Sequence, residues 1–300
     1  MIQHQESIYE PWGRVLSITD GTVELKVTLD FGPRIIYFAP VGGKNIMHED
    51  VDEQTTLYND YFREKGLEEP WRIYGGHRLW KSPEEWMTYY PDCEEVNYEV
   101  AEDHFTFTSE QEITSGLIKT LGIFMQGEGK VLLRHEFFYN GDSVFEGAMW
   151  GLTVLKAGGR VYCPLNKRHE SFHPVRNYTL WCGAHLDDPR FSHDDRHFCL
   201  RHSADESLHP FKIGSFVAKG EVYYVLDDVM LIKRFSADPT AVYPDGRCNF
   251  ETYTNHLFIE VESLSPVGKL LPGERMVHYE EWQLLPYDEA DLAERLSVQV

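Results

Sequence analysis

Short runs of alternating apolar and polar residues recur along the chain between clusters of Gly, Pro, Asp and Asn. The clearest are 23–29 (VELKVTL), 34–38 (RIIYF), 98–100, 104–108, 118–125, 131–139, 148–155, 198–202, 216–219, 222–226, 230–235, 257–262 and 276–284. Period two sends successive side chains to opposite faces of a strand, and many short strands with such punctuation predict a large all-β sandwich. A helix is predicted at the tail, 288–296 (DEADLAERL), where Asp288 is a candidate N-cap and Leu292 and Leu296 share a face. Residues 48–74 mix charge with aromatics and are read as a short helix or an excursion over a site. No Pro-, Gly- or Ser-rich linker and no internal repeat interrupts the chain, so a single domain over 1–300 is expected.

One strand carries chemistry. In 257–262 (LFIEVE), Leu257, Ile259 and Val261 alternate with Phe258, Glu260 and Glu262. Residues two apart on a strand lie roughly 6.5–7 Å apart, so the two carboxylates are neighbours on one surface. Like charges that close disfavour double ionisation, and burial pushes such a pKa up toward the range useful for proton transfer. From the pair alone, an exposed strand face with two solvated acids is the simpler reading.

Composition narrows the partners. The balance of 28 Lys+Arg against 49 Asp+Glu gives a net charge of -21, and no basic cluster offers a footprint for phosphate backbones or anionic membranes. A neutral small molecule fits better. Aromatic residues make up 14%, enough to build strands and to line a site that stacks on ring-shaped ligands. The five cysteines show no C-x-x-C spacing, and the first residues lack the charged and apolar regions of a signal peptide. A reduced cytoplasmic compartment is the expectation. His193 and His197 sit four apart among aspartates, but flanking prolines argue for a polar loop and no metal is expected there.

The second informative segment is 75–84, GGHRLWKSPE. Two glycines allow a tight turn or a close approach to a ligand, and His77, Arg78, Trp80 and Lys81 follow at once. That mixture of donors, charge and a stacking ring suits sugars, which present hydroxyls and apolar C–H faces. A turn with a packed Trp is the plain alternative. Asp245 and Glu251 precede the Glu-x-Glu strand, and Lys233 ends the apolar run MLI. All three are further candidate hydroxyl partners, with turn or ion-pair roles as the alternative.

Together these segments resemble the galactose mutarotase-like superfamily, and within it a bacterial subgroup with the same GGHRLWKSPE and a late NFETYTN…E-x-E…LPGE…H-x-E-x-W pattern. FGPRII, TYYPD, WGLTVLKAGG, DPR and PFKIG extend the likeness over nearly the whole chain. The resemblance implies a β-supersandwich of two large antiparallel sheets with a sugar site on a concave face, and no cofactor. It implies an aldose 1-epimerase-like isomerase acting on a hexose anomeric centre, with a late-strand glutamate as base and a histidine as acid. Glu262, eleven residues before Gly273 of LPGE, matches the base, with Glu260 as alternative; His77 matches the first site histidine. Arg78 and Trp80 would position the ring.

The chain departs from that pattern in one respect. Mutarotases carry the acid histidine in an N-H-S-like triplet on a mid-chain strand, where this sequence has AMWGLTVLKAGG with Trp150 near the expected place. His77, or His135 in LLRHEFFYN, would then substitute. The alternatives are a non-catalytic sugar-binding protein on the same fold, a glycosidase (for example pairing Glu84 with Glu262) or lyase, and a protein-interaction surface. His278 and Glu280, on a face with Trp282, are read as structural.

Overall fold

The computed structural model describes residues 2–167, 172 and 174–298. Among them, two large antiparallel sheets face each other. The first runs in the order Gln3–Ile8, Arg14–Thr19, Val23–Thr28, Ile35–Pro40, Gly76–Ser82, Phe145–Lys156, Phe258–Leu264, Phe250–Thr254, Phe211–Ser215, Thr179–Leu180, with Gly268–Leu270 added on Phe145–Lys156. The second runs Phe191–His193, His197–Arg201, Arg160–Pro164, Glu221–Leu226, Val229–Phe235, Arg275–Pro286, Lys130–Tyr139, Leu117–Gly127, Phe105–Thr108, Asn97–Val100. The all-β double sheet is the architecture expected from the alternation.

Burial follows the pleat. In Val23–Thr28 the buried Val23, Leu25 and Val27 point into the sandwich, where Phe38, Leu133, Ile259, Val261 and Trp282 join one apolar core. The middle strands break this rule. Phe258–Leu264 is buried at every position and Phe145–Lys156 at nearly every one, so both faces of the first sheet are covered there. A two-stranded ribbon, Thr56–Leu57 with Trp71–Arg72, belongs to the 48–74 segment, whose residues reach the outer face.

The predicted tail helix forms over Glu289–Ser297. The Asp288 carboxylate accepts the Asp291 N–H at 2.8 Å, and Leu292 and Leu296 pack on Tyr223, Val225, Met230 and Ile232. Three expectations shift. The run 216–219 is a turn, and the strand before it is Phe211–Ser215. The GGH segment enters a strand at Gly76 rather than remaining a turn. The His193–His197 segment is a hairpin turn between two strands.

Candidate functional site

Strand register decides what each residue of the central sheet can reach. Trp150 lies opposite Trp80 and Leu264, Leu152 opposite Arg78 and Glu262, and Glu251 opposite Glu262. These positions share the outer face. The residues between them, His77, Thr153, Val261 and Ser263, share the inner face, toward the second sheet.

The outer face floors a cavity of about 480 Å³. Its wall is a run of stacked indoles: Trp71 on Trp80 with ring centres 5.8 Å apart, and Trp80 on Trp150 at 5.1 Å. Tyr89 packs edge-on against Trp71 and Trp80. Gln54–Leu57 and Ile73 close one side; Trp181, Tyr253 and Phe258 close another. The polar groups lining this aromatic bowl include Glu260, Lys212 and Glu84, whose carboxylate accepts the Tyr89 hydroxyl.

Beneath the floor lies a charged triad. The Lys212 ammonium stands 2.8 Å from Glu251 and 3.2 Å from Glu262, and lies over the faces of Trp150 and Trp181 at 4.4 and 4.8 Å. Burial alone would lower the lysine, but the charges of Glu251 and Glu262 outweigh it and hold its pKa well above the ordinary value. Glu262 is wholly buried and accepts the Trp150 indole N–H at 2.7 Å. Burial raises its carboxyl, with Lys212 opposing. Burial also lifts Glu251, to about 8 despite Lys212. Glu260 is pushed well above the carboxylate range, first by burial and then by the charge of Glu262. One oxygen of Glu251 and one of Glu262 lack any hydrogen-bond partner.

The sequence-predicted residues thus divide. Glu260, Trp80 and Trp150 line the cavity. Glu262 and Glu251 lie under it, so the ranking of Glu262 over Glu260 reverses in terms of access. Arg78 is on the outer face but is buried against Trp71 and Trp80, its guanidinium 4.9 and 4.1 Å from their rings. Asp245 sits in a left-handed turn, φ 50°, and accepts the Ser82 hydroxyl at 3.1 Å. It does not reach the cavity.

His77, His135 and Lys233 do not reach it either. All three are buried between the sheets. His77 Nδ1 is 2.9 Å from Thr153 Oγ1, and its Nε2 is 3.2 Å from His135 Nε2. Lys233 Nζ donates at 2.9 Å to the carbonyls of Gly151 and Val261 and to Thr153 Oγ1, and pairs with Glu280 at 3.0 Å. Glu280 also takes the Ser263 hydroxyl and the Trp282 indole N–H, and His278 meets Ser263 at 2.8 Å. The physical reason is alternation: position 77 points inward if 78 and 80 point outward. Burial, with the Lys233 charge adding to it, pushes His135 down to about 3 and His77 well below its usual value, so both rings are neutral. His77, His135 and Glu280 are the group among the described residues with metal-ligand spacing. The Lys233 ammonium already supplies a cation against Glu280 there.

Lys212, Trp71, Trp181, Tyr89 and Tyr253 were not singled out from sequence. Lys212 had a signal, since it stands between the apolar Phe211 and Ile213 of PFKIG, a cation in a buried strand. The aromatics were visible only as a high total.

No protein-family model matches the chain, and no curated protein matches it. Solved structures do. A candidate aldose 1-epimerase from Klebsiella pneumoniae superposes with a TM-score of 0.61 at 10% identity, over 99% of this chain and 86% of that one. A galactose mutarotase-like protein from Lactobacillus casei superposes at 0.55 and 10% identity, over 90% of this chain and 100% of that one. The fold is galactose mutarotase-like. A TPR-domain containing protein from Parabacteroides distasonis superposes at 0.60 and 13% identity, with all of this chain spanning 56% of that protein's length. At these identities the galactose mutarotase-like likeness extends to architecture. No helix among the described residues is long and apolar enough to cross a membrane.

Proposed function

We propose that the chain is a carbohydrate-binding protein and an aldose 1-epimerase-like isomerase, with Glu260 taking the central part first assigned to Glu262. The observation that carries this is a carboxyl, Glu260, pushed above the usual carboxylate range on the floor of a bowl walled by three stacked indoles, with a second carboxylate, Glu84, on the lining. An aromatic lining suits the apolar C–H face of a pyranose, and carboxyl groups suit its hydroxyls. Two acids whose surroundings differ supply an acid and a base from one residue type.

In the proposed reaction Glu260 gives its proton to the ring oxygen as the bond from that oxygen to C1 breaks. The Glu84 carboxylate takes the proton of the anomeric hydroxyl, and C1 becomes an aldehyde. Rotation about C1–C2 and the reverse proton transfers close the ring on its other face. No cofactor enters. Burial first, and then the charge of Glu262, favour the protonated form of Glu260, with Lys212 opposing.

Non-catalytic sugar binding is the second reading, favoured by the lack of any histidine among the described cavity-lining residues. Exchange between α and β anomers of glucose and galactose, followed by NMR with the protein near saturation, separates the two. Faster exchange that is lost in Glu260→Gln supports isomerisation; saturable binding with unchanged exchange supports binding alone. Absence of binding by every sugar tried would reject both.

A further inference from the structure

Outside the cavity mouth stands a tryptophan with no evident structural duty. Trp86 is 66% exposed, in a short 3-10 turn over Trp86–Thr88 capped by Glu85, the residue after Glu84. The turn is held firmly. Thr88 Oγ1 donates to the Glu85 carbonyl at 2.7 Å, Lys81 pairs with Glu85 at 3.0 Å, and Asn59 Nδ2 donates to the Trp86 carbonyl at 2.8 Å. The Thr88 carbonyl also accepts the indole N–H of Trp80, a wall residue of the cavity, so the platform and the cavity wall are tied together.

The aromatic surface is continuous across that junction. The Trp86 ring centre lies 6.1 Å from Tyr89, and Tyr89 lies 5.1 Å from Trp71 and 5.2 Å from Trp80. From the cavity floor outward the order is Trp150, Trp80, Tyr89 and Trp86.

Resting on the carbohydrate reading of the cavity, we propose that Trp86 is a second stacking platform and that the ligand is an oligosaccharide or the end of a glycan chain. The inner ring occupies the aromatic bowl, and the adjoining ring lies on Trp86. The inner ring is the reducing end, so its anomeric hydroxyl stays free for Glu84, and the adjoining ring is joined through another of its hydroxyls.

The test is calorimetric titration with matched length series: glucose, maltose and maltotriose; glucose, cellobiose and cellotriose; galactose and lactose. In at least one series the disaccharide binds about tenfold or more tighter than the monosaccharide, the gain one stacked ring provides. Trp86→Ala abolishes that gain while leaving the monosaccharide Kd within about twofold, because it removes one exposed ring outside the cavity; Trp86→Phe keeps part of it. Equal affinity along every series, or a gain that survives Trp86→Ala, overturns the inference and leaves the monosaccharide site standing. Failure of all these sugars to bind rejects the carbohydrate reading and the second platform with it.

Discussion

Replacing Lys233 by methionine tests how the site is held from behind. The ammonium is 1% exposed and makes three hydrogen bonds at 2.9 Å, to Gly151 O, Val261 O and Thr153 Oγ1, with an ion pair to Glu280 at 3.0 Å. All three hydrogen-bond partners belong to the strands whose opposite faces carry Trp150 and Glu260. Methionine fills similar volume but strands the Glu280 carboxylate with donors from Ser263 and Trp282 alone. Removing one member of a buried pair costs about 3–5 kcal/mol. At roughly 2–4 °C per kcal/mol for a large domain, Tm falls by about 10 °C. Urea unfolding of Lys233→Met, Glu280→Gln and the double variant completes the cycle. The double variant should be at least about 2 kcal/mol more stable than the two single losses added together, since neither charge is then left alone. A single-variant loss below about 1 kcal/mol, or additive losses, would show that the lysine is not the inter-sheet strut described.

Three further outcomes follow from the same geometry. Gly151→Ala places a Cβ 2.0 Å from the Glu280 carboxylate, so it should lower stability by about 2 kcal/mol or more in denaturant titration, against the near-zero change typical of a surface glycine. The raised carboxyl of Glu251 gives stability that is full below its unfolded value near 4.5 and is lost as pH climbs through about 8; the wild type should therefore lose on the order of 3 kcal/mol relative to Glu251→Gln between pH 5 and 8. His135 and His278 are both held down to about 3, so each opposes folding as pH drops from 6.5 toward 3, by about 2 kcal/mol at pH 5. Their ring-proton NMR signals should stay fixed between pH 5 and 8, and a titration near pH 6.5 would contradict their burial.

The sandwich was legible because alternation is a local signal: Val23–Thr28, Lys130–Tyr139 and Glu221–Leu226 form close to where the pattern places them. The strand Gly76–Ser82 was hidden because its sequence, GHRLWKS, shows no apolar alternation. Its polar side chains are buried on both faces, His77 against Thr153 and His135 on the inner side and Arg78 against Trp71 and Trp80 on the outer. The Glu-x-Glu pair was legible as a pair, but the choice between its members depended on the Trp150 indole and Lys212, which cover Glu262 and lie far from it in sequence. His77 was misplaced for a related reason. Proximity to Arg78 and Trp80 in sequence suggested one surface, while the pleat sends adjacent residues to opposite sides.

The two-sided polarity of the central strands also constrains how the chain can pair while it folds. A sheet with one apolar and one polar face tells a correct register from a slipped one by apolar burial alone. Here each face also carries its own complement, Thr153, Ser263 and His77 matched to Lys233, His135 and His278, and Glu262 matched to Lys212 and Trp150. A slip of one residue would turn Glu260 and Glu262 toward the second sheet and present Ile259 and Val261 outward. It would take Glu262 from Lys212 and Trp150, and bury both glutamates among groups that do not match them. The polar layer between the sheets therefore acts as a proofreading key for strand alignment, penalising each near-miss pairing that a uniformly apolar interior would tolerate.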